Sequence, residues 1–113
     1  MTTTVVSSPP SATVALDGEI DISNCPAIRR FLMAAINGGN VHLAVDMSGV
    51  TFIDASGIGV LVAAANRARA AGGGLSLLAP SRQMQRLLDI LHLDAILPAA
   101  QRSAGPFVAG SAA

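Results

Sequence analysis

The residues whose types and spacing could do chemistry are concentrated between Phe52 and Leu61. This segment places Asp54 and Ser56 two residues apart, where an apolar run gives way to a helical pattern. A serine at the start of a helix can cap it by accepting a backbone N–H. The same position exposes the hydroxyl, and the helix dipole and free N–H groups there tolerate a phosphate. The spacing therefore fits either a structural cap or a hydroxyl that accepts phosphate.

Other chemistries fail on spacing. The glycine run 72–74 has no following Lys-Ser/Thr pair, so it is not a phosphate-binding P-loop. The pair Gly57 and Gly59 lacks the third glycine of a dinucleotide-binding turn. Ser56 is not in a Gly-x-Ser-x-Gly elbow, and His42 and His92 fall in a strand pattern and at a helix end. A small α/β hydrolase using Ser56 would therefore lack a placed base.

The composition narrows the classes of partner and site. Seven basic and seven acidic side chains give a formal net charge of zero, which argues against nucleic-acid binding. The single cysteine, Cys25, excludes an intramolecular disulfide framework, and with two histidines it does not support a zinc site. Cys25 lies in the first turn of a predicted helix, where it is either an ordinary small buried residue or a redox-active thiol. We expect no cofactor and no metal.

The high mean hydropathy raises the question of a membrane. The relevant uncharged apolar stretch, Ile58 to Ala65, is far shorter than the roughly 20 residues of a spanning helix. The first ten residues show neither the positive region nor the long apolar region of a signal peptide. We therefore expect a soluble, cytoplasmic protein without membrane insertion, whose apolar residues fill a core.

Strand and helix patterns alternate along the chain. The strand patterns are Thr13–Asp21, Val41–Met47, Leu75–Ala79 and Ala95–Pro98, and a turn is expected at Ser48-Gly49. The helix patterns begin near the capping residues Asn24, Ser56 and Ser81. This order predicts one α/β domain with a mixed, largely parallel sheet of four to five strands, covered by three to four helices. We expect the domain to span residues 1–98. Its first segment, residues 1–11, is either an edge strand or a frayed N-terminus. The C-terminal tail, residues 99–113, is expected to be flexible or weakly helical.

Each helix pattern has one apolar stripe. The predicted core positions are Ile28, Phe31, Leu32, Ala35 and Ile36 in the first helix, Ile58, Leu61, Val62 and Ala65 in the second, and Met84, Leu87, Leu88 and Leu91 in the third. On the second helix, Val60, Ala63 and Ala64 then point away from this stripe although they are apolar. They either pack under a neighbouring helix or form a docking face for a partner.

Several motifs along the chain resemble those of one known family. Asp54-Ala-Ser-Gly-Ile-Gly-Val-Leu61 resembles the Asp-x-Ser-Gly-Leu/Ile-Gly segment of STAS domains, in particular the bacterial anti-sigma factor antagonists. Leu16-Asp-Gly-Glu-Ile-Asp21 is similar to that family's Leu-x-Gly-Glu-Leu/Ile-Asp strand, and Leu43–Asp46 with Val50–Asp54 also matches. Arg86–Leu93 matches apart from His92, where the family often has a helix-ending glycine. The resemblance runs from Thr13 to Leu97.

The resemblance implies a STAS-like fold and a non-enzymatic switch. Ser56 would be phosphorylated by an anti-sigma factor that is also a serine kinase. The unphosphorylated domain would bind this kinase and release its sigma factor, and a metal-dependent serine phosphatase would reset the switch. Asp21 and Asp54 match acidic positions beside the serine, and Asp46 matches a polar position at the end of the central strand. The implied partner-binding residues are Asp21, Asp54, Ala55, Gly57, Ile58 and Val60.

One alternative within the same family stays open at this point. The chain could be a STAS scaffold subunit of a stress-signalling or lipid-transport complex, without a phosphorylation cycle. A serine at position 56 weighs mildly against this alternative, because a scaffold has no need of a residue that accepts phosphate.

Overall fold

Residues 3–100, which the computed structural model describes, form one five-stranded sheet and three helices. The strands are β1 (Thr3–Ser8), β2 (Ser11–Ile20), β3 (His42–Ile53), β4 (Gly74–Leu78) and β5 (Ala99–Ala100). The helices are α1 (Cys25–Asn37), α2 (Ala55–Ala70) and α3 (Arg82–Ile90). The strands lie side by side in chain order, with β1 antiparallel to β2 and all other pairs parallel. The predicted α/β class with a mixed, largely parallel sheet is confirmed.

The three helices pack on one face of the sheet. Each parallel connection moves one strand further in the same direction, and right-handed crossovers of that kind place their helices on the same side. Burial along β2 alternates accordingly: Ala12, Val14 and Leu16 are buried, whereas Thr13 is exposed and Ala15 half-buried. The expected helical cover is therefore one-sided within residues 3–100.

The core lies between this sheet face and the helices, and it accounts for much of the high hydropathy. Its largest fully buried side chains come from strands, helices and the last loop: Val14, Ile20, Leu32, Val45, Leu61, Leu77 and Leu97. No helix within residues 3–100 combines the length and the apolarity needed to cross a membrane.

Both ends of the described chain belong to the sheet. Of the two expectations for the N-terminus, the edge strand is confirmed, because β1 pairs with β2 along its whole length. The strand predicted at Ala95–Pro98 is wrong: the N–H groups of Ile96 and Leu97 donate to the carbonyl of Leu93, which makes this segment a helical turn. The strand begins at Ala99 instead, in residues assigned to the tail. Residues 101–113, the rest of that tail, lie outside the described residues.

The turn expected at Ser48-Gly49 is wrong, since β3 continues through it to Ile53. Gly49 is opposite Asp17 in the sheet, and a Cβ at Gly49 would lie 2.7 Å from the Asp17 Cβ. The glycine thus permits a close approach of two strands rather than a reversal of the chain. Two register shifts in the β2–β3 pair accompany this approach, and the longer β3 brings Ile53 alongside Ile20.

Two predicted core positions on the outer helices are wrong. Phe31 of α1 is 37% exposed, because the buried stripe runs through Cys25, Ile28, Leu32 and Ile36. Leu91 is 48% exposed, since α3 ends at Ile90 and only Met84 and Leu88 of that helix are buried. The next residue, His92, has a φ of 57°. This left-handed conformation favours glycine, the residue that the resemblance led us to expect there.

The α2 helix is buried on more than one side. It packs against α1 as well as against β3 and β4, so it is the middle helix of the layer. Val60 and Ala64 are therefore buried, at 8% and 0% exposure, although the stripe prediction pointed them away from the core. For Val60 and Ala64, packing under a neighbour is therefore confirmed and exposure on a docking face is wrong. Ala63, the third residue of this prediction, is half-buried.

Two glycines in α2, Gly57 and Gly59, allow a test of how closely the first turn of this helix packs against the sheet. A Cβ added at Gly57 would lie 2.7 Å from Ile53 Cγ1 and 2.8 Å from Ile20 Cγ2, whereas one at Gly59 would meet nothing within 4 Å. We expect Gly57→Ala to lower the free energy of unfolding by about 1–3 kcal/mol through overpacking. Gly59→Ala should raise it by about 0.5–1 kcal/mol, because alanine is the better helix former. Urea unfolding followed by circular dichroism measures the free energy of unfolding of both variants. Equal effects of the two substitutions would contradict the close packing of the first turn of α2 against the sheet.

Introducing a charge at Val60 tests the burial of the α2 side that carries Val60 and Ala64. Val60→Glu places a carboxylate among apolar side chains without a partner charge, so we expect loss of the cooperative thermal transition. Asn66→Glu, at an exposed position of the same helix, should leave the transition within a few degrees of wild type. A Val60→Glu variant that keeps a cooperative thermal transition would show that this side of α2 is accessible to solvent.

Candidate functional site

The carboxyl ends of β2 and β3 meet at one edge of the sheet and bring two loops together. Ile20 pairs with Ile53 in register, and the N–H of Asp54 donates to the Ile20 carbonyl at 3.2 Å. The next residue after Ile20 is Asp21. Each of these two aspartates therefore begins the loop that leads from its strand into the following helix. The structure brings both predicted acidic residues to the same edge.

Asp54 caps α2. Its Oδ1 accepts the backbone N–H of Ser56 at 3.0 Å and that of Gly57 at 3.2 Å. The same oxygen also accepts the hydroxyl of Ser56. The expectation that Ser56 caps the helix is therefore wrong, because the aspartate two residues earlier occupies the position whose side chain reaches these N–H groups. The serine hydroxyl is left to act as a donor.

The hydroxyl of Ser56 is held from two sides. It donates to Asp54, and the Sγ–H of Cys25 in the first turn of α1 reaches its Oγ at 3.5 Å. Ser56 is half-buried, and Cys25 is buried with a free thiol. Sequence reasoning located Cys25 in a first helical turn but not its contact with Ser56. That contact depends on how α1 and α2 pack, and no local pattern contains it.

Asp21 makes an arrangement of the same kind in the neighbouring loop. Its Oδ1 accepts the backbone N–H of Ser23 at 2.9 Å and the Ser23 hydroxyl at 2.5 Å. Asn24 occupies the N-cap position of α1, as predicted, but its side chain makes no capping bond. Instead its Oδ1 accepts the N–H of Asp21 at 3.1 Å and its Nδ2 donates to the Glu19 carbonyl at 2.7 Å. Asn24 therefore braces the loop rather than the helix.

Both aspartates are ionised at neutral pH. The hydroxyl of Ser56 is the main cause that lowers the pKa of Asp54, against an opposing effect of desolvation. The side chain and the N–H of Ser23 lower the pKa of Asp21, and the nearby charge of Asp54 acts in the opposite direction. The site is therefore anionic before any modification, and its two carboxylates are close enough to repel each other.

The predicted partner-binding residues differ in accessibility. Ala55 is exposed, and Asp21 and Asp54 are half-buried. Gly57 and Ile58 are buried, as is Val60, so they support the site from within the domain. The surface that a partner can reach is thus smaller than the six predicted residues implied, because three of them are buried.

Two apolar side chains flank the site, and the sequence analysis did not assign them to it. Ile22, which follows Asp21, is 77% exposed, and Phe52, two residues before Asp54, is 53% exposed. The signal in the sequence was the placement of each within two residues of an aspartate at the end of a strand. Large exposed apolar groups at the rim of a charged site are typical of a surface that binds another protein.

The groups that metal or hydrolytic chemistry would use do not meet at Ser56 within residues 3–100. Among residues 3–100 no three His, Cys, Asp or Glu side chains converge to hold a metal. The hydroxyl of Ser56 hydrogen-bonds to Asp54 and Cys25, whereas His42 begins β3, at the other end of that strand. Asp46 lies within β3, where its Oδ1 accepts the N–H of Ser48 at 3.0 Å.

The lowered pKa of Asp54 predicts an acid-sensitive cap. Because the carboxyl titrates at lower pH in the folded state than in the unfolded chain, its stabilisation is complete above the ordinary aspartate pKa of about 3.9 and is lost below it. We expect the urea midpoint of Asp54→Asn to fall less than that of wild type between pH 5 and pH 3. Asparagine also caps helices, so this variant should remain folded at pH 7.

The matched control for this titration is Ser56→Ala, which keeps the carboxylate but removes the main hydrogen bond that lowers its pKa. Its acid dependence should lie between those of wild type and Asp54→Asn. Identical acid dependence in all three proteins would contradict the assignment of the cap.

Comparison with known proteins places this geometry in a family. Residues 3–98 match the family model described as "Mlab, STAS domain". The chain is 32% identical over 92 residues to an anti-sigma-B factor antagonist of Bacillus subtilis, covering 81% of this chain and 84% of that protein.

Solved structures share the fold. The antagonist SpoIIAA in its unphosphorylated form matches with a TM-score of 0.75 at 19% identity, covering 98% of this chain and 96% of that chain. The phosphorylated form of Bacillus SpoIIAA matches with a TM-score of 0.72 at 21% identity, covering 89% and 93%. An antagonist-type STAS protein of Planctomyces limnophilus has a TM-score of 0.76 at 19% identity, covering 96% and 97%. The chain belongs to the STAS domain family, among the anti-sigma factor antagonists.

Proposed function

We propose that this chain is a phosphorylation-controlled antagonist of an anti-sigma factor. In its unphosphorylated form it binds an anti-sigma factor that is also a serine kinase, and this binding releases the sigma factor. The observation that carries the proposal is the hydroxyl of Ser56, which Asp54 orders at the accessible edge of the sheet. Similarity to an anti-sigma-B factor antagonist supports the choice of partner class. Because the exchange uses ATP, we place it in the cytoplasm.

The phosphorylation step changes the hydrogen bonding of the site. The Oγ of Ser56 attacks the γ-phosphorus of ATP, the bond to the β-phosphate oxygen breaks, ADP leaves, and the hydroxyl proton is released to solvent. The hydroxyl that donated to Asp54 then no longer exists. A phosphate of about −1.5 to −2 charges would face an ionised carboxylate, so the modified side chain must turn outward.

The helix N-terminus offers little compensation for this charge. The N–H groups of Ser56 and Gly57 already donate to the carboxylate of Asp54, and the N–H of Ile58 donates to its carbonyl. Three of the N–H groups that the sequence analysis expected to be free for a phosphate are therefore occupied. The added charge remains directed at the surrounding solution, beside Asp21 and Asp54, where it repels an acidic partner surface.

A modest penalty at the interface is sufficient for a switch. A loss of about 3 kcal/mol in binding weakens affinity roughly a hundredfold, at about 1.4 kcal/mol per decade. Repulsion and desolvation of a phosphate at a contact surface are of this order. SpoIIAA has the present fold in both its unphosphorylated and phosphorylated forms, which supports switching without a change of fold. A metal-dependent serine phosphatase would then return the domain to its binding form.

Substitutions at Ser56 test the switch. We expect the cognate kinase, isolated with the tagged chain from native cells, to transfer phosphate from ATP to Ser56. Ser56→Ala should keep binding this kinase, because it adds no charge. Ser56→Asp should bind roughly a hundredfold more weakly, by calorimetry or surface plasmon resonance. Asn66→Asp on the exposed side of α2 is the control for added charge away from the site.

The outcomes separate the two functions within the family. Equal affinities of Ser56→Asp and wild type for the kinase would overturn the switch. Absence of phosphate on wild type, together with co-purification in a large assembly, would instead favour the scaffold role. Labelling by serine-reactive phosphonates, which we do not expect, would indicate a hydrolase.

A further inference from the structure

The loop before α1 repeats the hydrogen bonding found at Ser56. In Asp21-Ile22-Ser23, the carboxylate accepts both the backbone N–H and the hydroxyl of the serine two residues later. In Asp54-Ala55-Ser56, the carboxylate accepts the same two groups of its serine. Each tripeptide begins where a parallel strand ends. Asp21–Ser23 lies before α1, whereas Asp54 is the N-cap of α2 and Ala55 and Ser56 are its first two residues.

The two serines also share one edge of the domain. The strands that lead to them are adjacent, and the hydrogen bond from the Asp54 N–H to the Ile20 carbonyl ties the loops together. Ser23 is exposed, whereas Ser56 is half-buried. The neighbouring Ile22, at 77% exposure, gives a partner an apolar contact beside Ser23. A protein bound over Ser56 therefore also lies close to the hydroxyl of Ser23.

We propose that Ser23 is a second phosphate-accepting residue, modified by the serine kinase that binds the Ser56 edge. This inference rests on the proposed function. The Oγ of Ser23 attacks the γ-phosphorus of ATP, the bond to the β-phosphate oxygen breaks and ADP leaves. The hydroxyl proton passes to Asp21 Oδ1, which already accepts it in a hydrogen bond, and from there to water.

Phosphate on Ser23 has a consequence distinct from that on Ser56. It removes the hydroxyl bond to Asp21 and adds a second negative charge beside the same two carboxylates. Ser23 is exposed, so the phosphate is more fully solvated and repels a partner less strongly. We expect Ser23→Asp to weaken kinase binding about tenfold, less than Ser56→Asp does.

The chain contains an internal control. Asp46-Met47-Ser48 has the same spacing, and the Ser48 N–H likewise donates to the carboxylate. This tripeptide lies inside β3, and Asp46 is paired with β2 on one side and with β4 on the other. A kinase cannot draw a residue there into its active site without breaking the sheet. Ser48 should therefore accept no phosphate, although it is exposed.

The experiment is phosphorylation of the full chain by the co-purified kinase with ATP, read by intact mass and by peptide mapping. The wild type and Ser48→Ala should each acquire up to two phosphates. Ser56→Ala should acquire one on Ser23, and Ser23→Ala one on Ser56. The double variant Ser23→Ala/Ser56→Ala should acquire none. Binding of each variant to the kinase is measured in parallel, which shows that it remains folded and docked.

The outcomes distinguish the two proposals. A kinase-bound Ser56→Ala that stays unmodified, with wild type carrying phosphate on Ser56 alone, overturns the role of Ser23 and leaves the switch intact. Absence of phosphate on wild type overturns both. Phosphate on Ser48 in addition to Ser23 would also contradict the proposal, since it would indicate unselective modification of exposed serines.

Discussion

One carboxylate organises the functional edge of this domain. Asp54 directly follows β3, and a single oxygen of its side chain caps α2 and accepts the hydroxyl of Ser56. Its own N–H is paired with Ile20, so the carboxylate is anchored to the sheet before it acts on the helix. The position of the helix and that of the hydroxyl therefore cannot be adjusted independently. A negative charge added at Ser56 would therefore face a carboxylate that the sheet holds in place.

The parallel arrangement of β2 and β3 explains why two such units occur. Parallel neighbours deliver the ends of both strands to one edge, and each must then turn into a helix on the same face. An aspartate at that turn satisfies N–H groups that would otherwise lack a partner. Asp21 satisfies the N–H of Ser23 in its loop, and Asp54 satisfies the first turn of α2. An edge of this kind collects negative charge in a chain whose formal net charge is zero.

The parts of the fold that local pattern determines were predictable from the sequence. The alternation of strands and helices and the position of Ser56 at a helix start follow from hydrophobic period and capping residues. The length of β3 did not, because Gly49 acts through a close approach to Asp17, which is far away in the chain. The burial of Val60 was missed because it depends on the neighbours of a central helix. The capping role went to Asp54 rather than Ser56 because both residue types cap, and only the backbone geometry decides between them.

The close packing of Gly57 against Ile20 and Ile53 has a consequence for how long a phosphorylation signal of the proposed kind would last. The first turn of α2 therefore has little room to move closer to the sheet. Under the proposed function, the signal would be stored in the phosphate ester of Ser56 and not in a conformational barrier. The lifetime of that signal would then depend on the enzymes that make and cleave the ester, so the same domain could serve a fast or a slow response without any change in its core.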